Sequence, residues 1–446
     1  MYAACRRFST SSNKDLTKVS TRDSGKELSK VPSNTISESQ HAEETQAQPG
    51  HLGTLTPEEE RKLQEAWVHL LRLSAVEGSK DHSAPDKSEA LEAELDAESL
   101  AGFRPALWNL FLADHPDVMI LRFLRARKWD VDRAMGMLVS NMHWRHEHKI
   151  DEEIVAKGDT VALSDEQSKD DKELMDQFRS GKAYVRGTDR NGRPVFIIRV
   201  KLHELNVQSN EVMERFVLHN IETIKMMMRH PNEKACLIFD LTGFGLKNMD
   251  FHVVKFLAQT FEARYPEYLG VVLVHNAPFV FWGKYYSISH YGRPRMLTSD
   301  KGAWAVIKPW LDPVIASKIH FTSGAKGLLD FIDKSNLQKF FGGEDTWEYK
   351  YIAPTPGENN RMQSEKKDNA RAERDELVAQ FESLTLEWAE LDPTSEEGKE
   401  KAAGRSALAG KLGDSFWKLD PYVRARTYYH RAGVIDEQGK VNYQAS

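Results

Sequence analysis

Tyr265-Pro-Glu-Tyr-Leu-Gly-Val-Val-Leu-Val-His-Asn-Ala-Pro-Phe279 decides the fold of this chain. A polar turn carrying Glu267 leads into Gly270-Val-Val-Leu-Val-His275, which lacks the apolar/polar alternation of a strand with one wet face. Such a run predicts a strand buried on both faces, the habit of parallel sheets. Downstream, Lys308-Pro-Trp-Leu-Asp-Pro-Val-Ile-Ala-Ser-Lys-Ile319 sets a Pro-bounded turn and Lys318 ahead of another short apolar segment, Ile319-His-Phe321. Neither stretch holds a nucleophile or a metal-ligand set. Together they read as the wall of an apolar cavity with Glu267 and Lys318 near its ends.

Upstream, Ala235-Cys-Leu-Ile-Phe-Asp240 is a second buried strand, and helices are expected from Ser209 to Met228 and from Phe251 to Arg264. Lys182-Ala-Tyr-Val-Arg186 and Pro194-Val-Phe-Ile-Ile-Arg-Val200 flank Asp189-Arg-Asn-Gly192, and Asn-Gly between β-rich runs predicts a hairpin. Strands alternating with helices give an α/β lobe over 175–345 with a mostly parallel sheet and crossovers. Residues 55–150 read as a helical subdomain. Thr56 caps its first helix, Pro57 takes the first position and Glu58 to Glu60 fill the first turn. Val118, Leu121 and Leu124 (or Phe123) form the buried stripe of a second helix, with Arg122, Arg125 and Arg127 pointing elsewhere. A third helix runs from Val131 to His146 behind Asp130, burying Ala134, Leu138, Met142 and Trp144. The polar, acidic stretch 77–98 reads as a loop.

The chain ends are different in kind. Residues 1–54 open with a Ser-, Thr- and Lys-rich stretch that buries too little apolar surface to offset chain entropy, and a disordered tail is expected. Its first twelve residues contain no acid and two arginines, which also suits a short mitochondrial presequence. Residues 346–446 read as a Pro-marked linker and two helices. The first, Glu365 to Leu391, carries a stripe of Leu377, Phe381, Leu384 and Trp388; the second, Val423 to Ala432, is Tyr-rich. These helices either pack on the domain or bind a partner.

Composition removes several classes. A net charge of −6 gives no reason to expect nucleic-acid binding. Two cysteines in unlike settings, Cys5 and Cys236, make no disulfide framework, and Cys236 reads as a buried free thiol. No apolar run reaches the roughly 18–20 residues of a membrane-spanning helix, so membrane contact is expected to be peripheral. Asp240-Leu-Thr-Gly-Phe-Gly245 follows a strand but is neither a P-loop nor a nucleophile elbow. His143, His146 and His148 cluster near Trp144; a helix C-terminus explains them as well as a metal does, and no metal site is assigned.

An ordered set of motifs resembles the CRAL-TRIO lipid-binding family in its fungal phosphatidylinositol-transfer branch. It runs from Arg122-Phe-Leu-Arg-Ala-Arg-Lys-Trp-Asp130 through Asn191-Gly-Arg-Pro194, Asp240-Leu-Thr-Gly-Phe244, Tyr265-Pro-Glu267 and Asn276-Ala-Pro-Phe279. It closes with Trp310-Leu-Asp-Pro-Val-Ile-Ala-Ser-Lys-Ile319 and Phe341-Gly-Gly343. The resemblance implies a helical tripod, an α/β lobe enclosing one lipid and a mobile gate helix over the entrance. It implies a phosphoinositide headgroup site at Arg127, Lys128, Glu267 and Lys318, and a gate and pocket of Phe279, Phe281, Trp282, Trp304, Ile307, Trp310 and Leu311. The division of labour is chemically sound: phosphate suits Lys and Arg, and sugar hydroxyls suit a carboxylate. Taken singly, each of these charges reads as a solvated side chain or helix-end partner. Members that also take phosphatidylcholine hold its headgroup with hydroxyl residues where this chain has Ala235 and Leu237, and with a Thr where it has Ile315. Phosphatidylinositol recognition without efficient phosphatidylcholine binding is therefore expected, with room for a sterol-like second lipid.

The implied activity is lipid exchange between membranes by a non-catalytic monomer with no cofactor beyond the bound phospholipid. The alternative is presentation of the lipid to a lipid kinase. The expected place is the cytoplasm, at the surface of endoplasmic reticulum, endosome or lipid droplet. One stretch departs from the family pattern. Lys284 to Gly302 interrupts the aromatic gate segment with no helical stripe, and Gly292 and Pro294 oppose a helix. Removing 284–302 restores Phe-Val-Phe-Trp-Gly-Ala-Trp-Ala-Val-Ile-Lys-Pro. Gly283-Lys284-Tyr285 can be encoded by GGTAAGTA and Met296-Leu297-Thr298 can contain CTAAC, so the insertion reads as translated intron.

Overall fold

The computed structural model describes residues 48–83, 88–93, 95–228, 230–282, 284–288, 294–298 and 302–445. The expected presequence, Cys5 and most of the expected tail lie outside these residues. The last part of that tail is pinned: Arg125 donates to the Gly50 carbonyl at 2.9 Å and Lys234 to the Gln48 side chain at 3.0 Å.

Helix α1 (Pro57–Leu73) starts at a reciprocal cap between Thr56 and Glu59. Short helices α2 (Ser88–Glu92), α3 (Ala97–Ala101) and α4 (Phe103–Phe111) follow. The stretch expected as an acidic loop, 77–98, is thus partly helical; Asp96 accepts from the Ser99 amide at 2.6 Å and starts α3. Helix α5 (Pro116–Ala126) and helix α6 (Val131–Glu147), capped by Asp130, complete the subdomain. The stripe of α5 is buried as expected, but Arg122 is buried too, at 2% exposure, which corrects its expected outward direction. Its guanidinium lies 4.1 Å from the Tyr268 ring centroid and donates to the carbonyls of Glu233 (2.6 Å) and Glu267 (3.0 Å).

After α7 (Lys169–Arg179) come β1 (Ala183–Thr188), β2 (Pro194–Arg199), α8 (Asn210–Lys225), β3 (Ala235–Asp240), α9 (Phe251–Ala263) and β4 (Leu269–His275). Strands β5 (Lys284–Ile288) and β6 (Pro294–Thr298) pair with each other, antiparallel, in a separate two-stranded sheet. Helices α10 (Ala303–Ile307) and α11 (Pro313–Ser317), strand β7 (Ile319–Thr322) and helix α12 (Gly324–Leu329) complete the lobe. The main sheet runs in the order β1-β2-β3-β4-β7, with only the β1–β2 hairpin antiparallel. Side chains alternate across it. Tyr184, Val195, Ile197, Cys236, Ile238, Val271 and Leu273 pack with Leu328, Phe331 and Phe341 on one face. Phe196, Ile198, Leu237, Phe239, Val272 and Val274 face α8 and α9 on the other. Cys236 is a buried free thiol.

The expected linker after 346 is bound to the lobe: Tyr349 donates to the Phe178 carbonyl (2.9 Å) and Tyr351 to Asp159 (2.6 Å). Helices α13 (Lys366–Ala389), α14 (Glu396–Val423) and α15 (Tyr428–Arg431) follow. The expected helix from Val423 to Ala432 is therefore cut to Tyr428–Arg431: Val423 ends the preceding α14, and Arg424 leaves it in an extended conformation. Helices α13 and α14 pack on the N-terminal subdomain. Gln64 of α1 donates to the Trp388 carbonyl (2.9 Å), and Arg104 and Trp108 both donate to the buried carboxylate of Glu382.

Candidate functional site

Between the sheet and helices α8 and α9 lies a cavity of about 220 Å³. Sheet geometry creates it. The side chains on the inner face of β2, β3 and β4 are apolar, and α8 and α9 oppose them with Phe216, Ile221, Leu257 and Phe261. Ala235 and Leu237 both line it, as does Ile315, so the middle of the cavity presents no side-chain hydroxyl at these positions.

The gate is split. Phe279–Trp282 forms one helical turn and α10 another, with the β5–β6 hairpin between them in the chain. The two turns meet again in space: Trp304 lies 6.2 Å from Phe281 and 6.5 Å from Trp282, ring to ring. Phe281, Trp304, Ile307 and Leu311 line the cavity as expected. Phe279 does not; it is 53% exposed. Trp282 packs instead on Phe321 (4.6 Å), and Trp310 packs edge-on against Phe251 (5.9 Å).

Parallel strands begin side by side, and the charged group sits at these starts. Lys234 precedes β3, Glu267 precedes β4 and Lys318 precedes β7. Glu267 adopts a left-handed φ of +62° at the turn into its strand. Its carboxylate lies 3.7 Å from the Lys234 ammonium and 4.0 Å from that of Lys318. Burial pushes the Glu267 carboxyl up, but Lys318 first, then Lys234, Arg125 and Arg122, outweigh it and hold it below the usual range. Burial draws Lys234 down to about 8, against the pull of Glu267. Glu233, beside Lys234, is held near 2 despite burial by its hydrogen bond to His230 and by Arg122 and Arg125.

The structure thus brings Glu267 and Lys318 together and adds Lys234. The sequence reading missed this lysine; its one signal was its place immediately before a buried strand neighbouring that of Glu267. Arg127 and Lys128 sit at the α5–α6 corner, where Lys128 has a φ of +54°. Arg127 turns back to the Ala126 carbonyl (3.2 Å) and borders a separate cleft with Arg133 and Arg264. Among the described residues, no ion pair joins Arg127 or Lys128 to Glu267, whose carboxylate pairs with Lys234 and Lys318.

Tyr265 anchors the turn that carries Glu267. Its hydroxyl donates to Glu222 at 2.6 Å, and the same carboxylate takes Arg145 of α6 (2.6 Å) and Lys225 (3.1 Å). Burial alone would raise the Glu222 carboxyl; Arg145 and Lys225 drive it well below the usual range. The clustered histidines have separate partners: His143 meets Ser99 and Glu147, His146 meets Glu98, and His148 meets the Trp144 carbonyl. A different trio, Glu65, His69 and Asp132, places potential ligand atoms within 4.8 Å of one another.

An α/β sheet with an apolar cavity against its helices and a charged group at its strand starts defines a protein that sequesters an apolar molecule. The chain belongs to the CRAL-TRIO family. The CRAL/TRIO domain profile matches residues 178–299 and 298–343, and the CRAL/TRIO N-terminal domain profile matches 87–140. A CRAL-TRIO domain-containing protein of Schizosaccharomyces pombe is 36% identical over 374 residues, covering 82% of this chain and 77% of that one. The phosphatidylinositol transfer protein CSR1 of Eremothecium gossypii is 30% identical over 458 residues, covering 87% and 99%. A crystal structure of Sfh5 aligns with 66% of this chain and 88% of its own, at 14% identity and a TM-score of 0.39. No helix among the described residues is long and apolar enough to cross a membrane.

Proposed function

We propose that this protein binds phosphatidylinositol, with acyl chain in the cavity and headgroup at Glu267, Lys318 and Lys234, and exchanges it between membranes. The observation that carries this reading is a carboxylate flanked by two lysines at the starts of β3, β4 and β7, each next in the chain to a residue that lines the apolar cavity, Ala235, Tyr268 and Ile319. Each methylene moved from water into such a cavity contributes about 0.8 kcal/mol. A phosphodiester suits the lysines, and inositol hydroxyls suit the carboxylate. The relative from Eremothecium gossypii, named a phosphatidylinositol transfer protein, supports the same ligand. Arg127 and Lys128 enter this proposal only as a second basic element beside the first, to be tested separately. Ala235, Leu237 and Ile315 supply no hydroxyl for a choline headgroup, so phosphatidylcholine is a poor ligand.

The protein acts without catalysis, as a monomer, on the cytoplasmic surface of endomembranes. Presentation of the bound lipid to a kinase would use the same site; vesicle-to-vesicle exchange in the absence of any kinase separates the two. The direct test of binding is lipid extraction and mass spectrometry of the full chain purified from a eukaryotic host. One phosphatidylinositol per chain is expected, and no enrichment over other phospholipids refutes the proposal.

A further inference from the structure

The cavity has a polar end remote from Glu267. Lys234, Glu267 and Lys318 stand at the N-terminal ends of β3, β4 and β7, whereas His203 follows the C-terminal end of β2 and Asp250 lies beyond that of β3. Lys182 joins them there because β1 runs antiparallel to β2: the Arg199 amide donates to the Lys182 carbonyl at 2.7 Å. The six residues of β3 put roughly 17 Å between the two ends. Lys182, His203 and Asp250 all line the cavity and are all buried.

Their hydrogen bonds run in one direction. Lys182 carries donors only. Its ammonium donates to the side-chain carbonyl of Gln177 and lies 3.1 Å from His203 Nδ1, which must therefore accept. The imidazole proton then sits on Nε2, 3.1 Å from one Asp250 oxygen, while the other Asp250 oxygen caps α9 through the Val253 amide. The third direction of the ammonium is occupied by the Met213 sulfur at 3.5 Å, a weak acceptor, and the Phe216 ring centroid lies 5.4 Å away. Burial draws the Lys182 ammonium down to about 8 against the pull of Asp250. Arg199 also borders the cavity, but its guanidinium is stacked on Phe340, 4.8 Å from the ring centroid.

We propose that Lys182, held by Gln177 and His203 at this far end, receives the single oxygen of a neutral, otherwise apolar lipid in place of the Met213 sulfur. An oxygen is a better acceptor than a thioether, so the exchange improves a poorly satisfied donor direction in the cavity wall. The ligand is neutral because the group is already balanced, one ammonium against one carboxylate across a neutral imidazole. An anion would add an uncompensated buried charge. Long-chain alcohols and sterol-like alcohols share this chemistry. The inference relies on the cavity holding lipid, as in the proposed function, but not on the Glu267 group.

The test uses the full chain, incubated with neutral phospholipid vesicles carrying oleyl alcohol, octadecene or oleate, and separated by gel filtration. Cholesterol and cholestane repeat the comparison for a ring body. The wild type is expected to retain the alcohol at least about 10-fold over the hydrocarbon in one of the two series, and over oleate. Lys182→Met should erase that preference while leaving hydrocarbon retention unchanged, and Lys182→Arg should keep part of it. Equal retention of alcohol and hydrocarbon by the wild type in both series overturns the proposal, whether or not the variants fold. So does preferred retention of oleate, or a Lys182→Met protein that folds with the preference intact. Glu267→Ala, assayed in parallel, separates the two sites. A Lys182-dependent alcohol preference without phosphatidylinositol uptake leaves this inference standing and removes the headgroup reading; the reverse pattern does the opposite.

Discussion

Asp117→Asn tests whether the C-terminal helices are part of the folded lobe or an appendage. Asp117, in the first turn of α5, is 3% exposed. It accepts from Arg405 of α14 at 3.0 and 2.7 Å and from the Trp67 indole of α1 at 2.6 Å. Burial pushes its carboxyl up, but Arg405 and then His115 outweigh this and hold it below the usual range. Arg405 is itself 2% exposed, donates to Thr385 of α13 at 2.9 Å, and lies 4.0 Å from the Trp388 ring and 4.8 Å from that of Phe381. Four helices thus meet at one ion pair. The asparagine keeps the shape but removes the charge, and its amide turns two donors toward a site that needs an acceptor. An uncompensated buried arginine costs about 3–5 kcal/mol. Urea unfolding followed by tryptophan fluorescence should show the midpoint falling accordingly at similar slope, since Trp67, Trp108 and Phe381 form one aromatic cluster around the pair. Replacing both partners, Asp117→Leu with Arg405→Met, should recover more than half of the loss, because no charge is left stranded. A loss below about 1 kcal/mol for Asp117→Asn refutes the reasoning: the aromatic rings would then suffice to hold Arg405.

Glu267→Ala and Lys318→Ala should each slow phosphatidylinositol exchange by about 10- to 150-fold, the worth of one charge-assisted hydrogen bond, with unfolding midpoints little changed; wild-type exchange by both variants removes the headgroup assignment. Phosphatidylinositol affinity should be full below pH 8 and decline above it. Lys234 titrates near 8 in the free protein, and a bound phosphate raises that value, so the protonated form that the complex favours is lost from the free protein first. Uptake from vesicles that stays level to about pH 9.5 would place Lys234 outside the phosphate contact. Deleting residues 284–302 should raise vesicle-to-vesicle transfer, because Phe281 and Trp282 already lie against Trp304 and the gate turns can then run into one helix that moves as a unit. Equal or better transfer by the full chain, assayed at matched folded concentration, makes the hairpin a native part of the gate.

The strands of the main sheet, the hairpin at Asn191-Gly192, the caps at Thr56 and Asp130 and the mostly parallel order were legible in the sequence. Each depends on near neighbours: a buried run reads as a strand, and a polar residue before an apolar stripe reads as a helix start. The motif order around Glu267 and Lys318 carried the family, and the family carried the cavity. Helix α14 stayed hidden because its buried face mixes Arg405, Ala409, Leu412 and Ser415 instead of a clean apolar stripe. A charge on a helix is ordinarily solvated, which favours an outward Arg122; Tyr268, two carbonyls from distant loops and the Glu233 carboxylate at 4.0 Å make its burial tolerable. Lys234 joins Glu267 through the parallel register of β3 and β4, and Lys182 meets His203 through the reversal of β1 on β2. Sequence by itself determined the strands of the main sheet and most of the helices around it, since those are set by local periodicity and turn chemistry. Tertiary structure alone added Lys234 to the pair of Glu267 and Lys318 and brought Lys182 to His203, since such meetings depend on strand order and register, which no local pattern encodes.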